Sequence, residues 1–164
     1  MALLASTLLS GCGGIRVAGL SPEYPPLEKK TFSLFTHYVP VDSLQPVLRW
    51  RSFPEPDFPH PERVQKVTYE LRIWDGSASA ANKLEYARNG LALPEHRLEK
   101  PLEPSTRYLW SVRARFTLGG TRRVTEWGMA GLTLRNHTVP NPSCFRFETP
   151  PDTDPQADPH QVGR

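Results

Sequence analysis

Two stretches of this chain alternate apolar and polar residues so regularly that they confine it to β-structure. "VTYELRIW" places Val67, Tyr69, Leu71 and Ile73 on one side and Thr68, Glu70, Arg72 and Trp74 on the other. "RYLWSVRARF" sets Tyr108, Trp110, Val112, Ala114 and Phe116 against Leu109, Ser111, Arg113 and Arg115. A period of two belongs to a strand buried on one face, whereas a helix repeats near 3.6. Shorter pieces read the same way. "PVLRWRSF" turns Leu48 and Trp50 inward and Arg49 and Arg51 outward, while "LEYAR" and "CFRFET" supply two more strands. Gly119-Gly120, between "RARFTL" and "TRRVTEW", signals a two-residue hairpin turn. Several short strands with turn signals between them predict an all-β fold, a single antiparallel β-sandwich of about seven strands.

A length of 164 residues allows one domain with tails, and an apolar share of 38% supports one lean core. The 18 prolines gather outside the strands. The segment "LEPSTRYLWSVRA" carries Leu102, Pro104, Thr106 and Tyr108 at alternate positions, followed by Trp110, Val112 and Ala114. It resembles the run that enters strand F of fibronectin type III domains. The resemblance implies that Tyr108 makes a corner, hydrogen-bonding back to the loop backbone. It extends to Trp50 as the strand B tryptophan, "YELRIW" as strand C and "FRFETP" as the last strand. On this reading the fibronectin type III-like domain covers 38–150. Two loops, "FPEPDFPHPERVQK" and "GMAGLTLRNHTVPNPS", are longer than the family pattern.

The N-terminus points to a compartment. "ALLASTLLSG" is too short for a bilayer span of about 20 residues and matches the apolar core of a secretory signal. Leu9-Ser10-Gly11-Cys12 resembles the bacterial lipobox. That resemblance implies a signal peptide over 1–11, cleavage before Cys12, and diacylglycerol on its thiol. Acyl chains contribute about 0.8 kcal/mol per buried methylene and hold a protein on a membrane without a spanning helix. Gly13 stands where aspartate would mark inner-membrane retention in that family, so in a Gram-negative organism the resemblance favours the outer membrane, facing the periplasm. Residues 12–37 are then a lipidated linker, and 151–164, with three prolines, three aspartates and no aromatic residue, a disordered tail. Cys144 reads as a small buried hydrophobe.

No catalytic residues, metal site or cofactor are expected. His37, His60, His96, His137 and His160 are widely spaced, with no i, i+2 or i, i+4 pair among them. Glu95-His96 are adjacent on an extended segment and point to opposite faces. Asn136-His137-Thr138 fits the N-glycosylation pattern, one that bacterial lipoproteins rarely use. A net charge of +3 without a dense basic stripe argues against nucleic acid. One constellation remains: Arg72, Trp74, Arg113, Arg115 and Trp127 share the outer side of the two long strands if those strands are neighbours, and Arg122 and Arg123 extend its charge. The face is either a stabilised sheet surface, with arginines stacked on Trp127 and Glu70 paired across strands, or a binding platform. The resulting expectation is a non-catalytic protein-binding or scaffold module of the cell envelope, with envelope proteins or glycans as partners. The alternative is a carbohydrate-binding accessory protein using exposed Trp74 and Trp127.

Overall fold

A computed structural model of the protein describes residues 17–26, 37–76, 83–128 and 144–152. Cys12, His137, His160 and the residues after 152 lie outside the described residues, and so do the lipobox and the N-glycosylation pattern. The described chain is all-β, with nine strands and one 3₁₀ turn at Pro61–Arg63. Among the described residues no helix is long and apolar enough to cross a membrane.

The two alternating stretches become the two longest strands, β4 (Val64–Asp75) and β7 (Arg107–Leu118). They pair antiparallel from Val64↔Leu118 to Asp75↔Tyr108, and this pair is the spine of the molecule. Around it a six-stranded sheet runs β2 (Val39–Pro40), β9 (Phe145–Glu148), β7, β4, β5 (Leu84–Leu91), with β8 (Thr121–Val124) also on β7. All of its pairs are antiparallel except β2–β9. The second sheet has three strands, in the order β1 (Pro22–Tyr24), β3 (Val47–Trp50), β6 (Glu95–Arg97). Gly119 and Gly120 take φ of 55° and 82° in the β7–β8 turn, the left-handed pair that the tight hairpin requires.

The core lies between the sheets. Tyr69, Leu71 and Ile73 of β4 and Tyr108, Trp110, Val112, Ala114 and Phe116 of β7 face Leu48 and Trp50 of β3, with Leu98 and Leu102 closing one side. Trp50 meets Tyr69 edge-on at 5.5 Å between ring centroids, and the Tyr69 hydroxyl accepts a hydrogen bond from the Phe53 amide at 3.0 Å. The tyrosine corner is present: the Glu103 amide donates to the Tyr108 hydroxyl at 3.0 Å. The long loop after β3 is packed, not loose. Its Phe53 and Phe58 meet edge-on and pack against Phe116, tilted and edge-on respectively, capping that end of the core.

Two expectations need correction. The strand count is nine among the described residues, because β1, β2 and β6 are only two or three residues long and too short to show alternation. The supposed linker over 12–37 also enters the fold. Leu20 is buried, β1 pairs with β3, and the Val17 carbonyl accepts from the Glu126 amide at 2.8 Å. Backbone approach explains the glycines here. A Cβ on Gly19 or Gly128 would lie far inside contact distance of the Trp127 or Leu20 carbonyl oxygen, so only glycine lets these segments lie side by side.

Candidate outer-face site

The sheet register assembles the constellation. Glu70 stands opposite Arg113, Arg72 opposite Ser111, and Thr68 opposite Arg115. Strand geometry puts all six on the outer side, away from the core. Glu70 is 5% exposed. Its Oε2 accepts from Arg113 Nε at 2.5 Å and its Oε1 from Arg115 Nε, so one carboxylate is clasped by two guanidinium groups. Burial by itself pushes the Glu70 carboxyl up. The hydrogen bonds from Arg115 and Arg113, followed by their charges, outweigh burial and hold it below its ordinary value.

Trp127 completes the arrangement. Residues 125–128 run beside β7 past its hairpin, tied by Thr125 N to Ala114 O at 2.9 Å and Gly128 N to Val112 O at 2.8 Å. The buried Ser111 hydroxyl donates to the Gly128 carbonyl at 2.7 Å. These bonds fix the Trp127 ring under two guanidinium groups, Arg113 at 4.4 Å and Arg72 at 4.9 Å from its centroid. The result is a ladder of Arg72, Trp127, Arg113, Glu70 and Arg115. Arg115, at 52% side-chain exposure, is its open end.

Trp74 does not belong to that platform. It lies on the outer side as expected but is only 3% exposed, packed with Leu109 and Cys144 and flanked by Tyr38. Tyr38 is in turn covered by Arg107 and Arg146 at 5.2 and 5.3 Å. This end of the face is a second, smaller core, and Cys144 is indeed a buried hydrophobe within it. No cue near Trp74 in the sequence announces this cover, because Tyr38 and Cys144 arrive from remote segments.

The other polar groups serve the fold. Glu95 accepts from Arg49 at 3.1 Å, whereas the His96 ring nitrogen Nε2 lies 2.6 Å from the Tyr86 hydroxyl, so the two adjacent side chains do not meet. Burial, then the nearby Arg88 charge, pulls the His96 pKa below its ordinary value. Among the described residues no three His, Cys, Asp or Glu side chains form a group able to hold a metal ion. No protein-family model matches the chain, and no curated protein matches it.

Proposed function

We propose that the protein is a non-catalytic binding or scaffold module of the bacterial cell envelope, carried as a lipoprotein acylated at Cys12, with a fibronectin type III-like sandwich. It sits at the outer membrane and faces the periplasm. The observation that carries the binding role is the ladder on the outer sheet face. Its arginines are held in fixed geometry by one buried carboxylate and one indole, so an acidic protein surface meets them with little side-chain ordering left to do. The carbohydrate-binding alternative needs two open indoles to stack on sugar rings. Trp74 is buried and the Trp127 ring is faced by two guanidinium groups, so that reading loses its support.

Radiolabelled palmitate supplied to cells should label the wild-type chain and not a Cys12→Ser variant. Recovery of an unmodified Cys12 thiol from native membranes by mass spectrometry would overturn the anchor. Affinity capture from detergent-solubilised envelope should yield a protein partner that is lost with Arg115→Glu. Equal capture by a variant of unchanged melting temperature would remove the face from the binding role.

A further inference from the structure

β7, β8 and the start of β4 enclose an open groove of about 390 Å³, lined by Lys66, Thr68, Arg115, Phe116, Thr117, Arg122, Arg123 and Val124. Four of these residues are cationic and none is acidic. Arg115 shares Glu70 with Arg113, and no carboxylate among the described residues pairs with Lys66, Arg122 or Arg123. Val124, 43% exposed, adds an apolar spot at the rim. Register explains the gathering. The β7–β8 pairing sets Arg122 beside Thr117 and Val124 beside Arg115, on the same outer side, while Arg123, opposite the core residue Phe116, lines the groove from the other side of the short edge strand. Lys66 joins them from a bulge in β4, where the pairing with β7 shifts between Gln65 and Thr68 and Lys66 takes a φ of 53°. A bulge re-aims the side chain that it displaces.

The place where the chain enters the fold decides what such a groove faces. The Val17 carbonyl is hydrogen-bonded to the amide of Glu126, two residues beyond Val124 at the groove rim. Residues 17, 19 and 20 run alongside 126, 127 and 128 in the same direction, so Val17, the first described residue of that segment, lies at its β8 end. Only residues 13–16 separate Val17 from Cys12. Five Cα-to-Cα steps span at most about 18 Å. A lipid on Cys12 therefore holds the β8 end of the sandwich against the headgroups, within about two Debye lengths at physiological salt.

We infer that Lys66, Arg122 and Arg123 of this groove, beyond the Glu70-bound Arg115, form a second membrane contact, which takes the phosphate groups of an anionic lipid surface. The inference rests on the Cys12 reading for its orientation and on charge complementarity for its ligand. The acyl chains hold the chain at the bilayer, and each cation of a basic patch beside them adds about 1 kcal/mol of attraction to an anionic surface.

The full chain carrying Cys12→Ser isolates the groove from the acyl chain. In flotation assays it should bind vesicles of phosphatidylcholine and phosphatidylglycerol, bind phosphatidylcholine alone far less, and be released by salt. The triple variant Lys66→Gln, Arg122→Gln, Arg123→Gln should lower its partitioning by about 100-fold, near five-fold for each cation removed. All three side chains are exposed, so its melting temperature should match the parent chain. Equal binding by the triple variant, or equal binding to neutral vesicles, would overturn the inference. So would binding to soluble polyphosphate without binding to the anionic vesicles. A failure of palmitate labelling leaves the vesicle result standing, which separates a wrong anchor from a wrong groove.

Discussion

The outer face of β4 and β7 has two ends that differ although the same two strands form both. At Trp74↔Leu109 the paired side chains are 3% and 5% exposed, under Tyr38 and Cys144. Toward Thr68↔Arg115 the face is open, cationic and grooved, and the Glu70 clasp lies between the two ends. Pairing decides which side of a sheet a residue occupies. Cover decides whether that side is interior or surface, and cover comes from segments distant in sequence.

The comparison breaks first at its dry end. Trp74→Ala should destabilise the domain by about 3–5 kcal/mol, as large buried aromatics do, measured by urea unfolding. A loss below about 1 kcal/mol would mean that Tyr38 and Cys144 do not cover it. The clasp gives the next effect. Glu70→Gln should cost about 2 kcal/mol at neutral pH, discounted for the half-exposed Arg115. Because the folded-state pKa of Glu70 lies below its unfolded value, its contribution is complete above the unfolded value and is lost as pH falls through the folded one. The gap between wild type and Glu70→Gln should therefore close at acid pH. A gap that persists there would assign the cost to packing and not to charge. Smallest is the indole at the open side: Trp127→Ala should cost about 1 kcal/mol for two guanidinium contacts and raise the mobility of Arg72 and Arg113 seen by NMR relaxation.

Much of this was legible in the residues themselves. Alternation alone assigned Tyr69, Leu71 and Ile73, with Tyr108, Trp110, Val112, Ala114 and Phe116, to the core side, and it set Arg72, Arg113 and Arg115 on the other, where Trp127 was expected to stack on them. Gly119-Gly120 announced the hairpin, and "LEPSTRY" announced the Tyr108 corner. What escaped depended on long-range partners. Trp74 reads as exposed because its strand neighbours are polar. The segment around Leu20 reads as linker because β1 is three residues of proline, glutamate and tyrosine whose pairing with β3 no periodicity reveals. Lys66 joins the groove only through a bulge, and alternation fixes a residue's side only while the register is unbroken.

The stitch at Val17 also has a mechanical meaning. Among the described contacts, a pull delivered from the N-terminus loads the Val17–Glu126 hydrogen bond first, then the burial of Leu20, then the short β1 ladder against β3, ahead of the β4–β7 spine. Those fasteners open one after another, like a zip and not like a rivet. Each that yields pays out chain, up to about 27 Å of extra reach for residues 17–24. With the proposed anchor at Cys12, the same few contacts that keep the sandwich close would let it swing clear under tension and settle back when the tension is released.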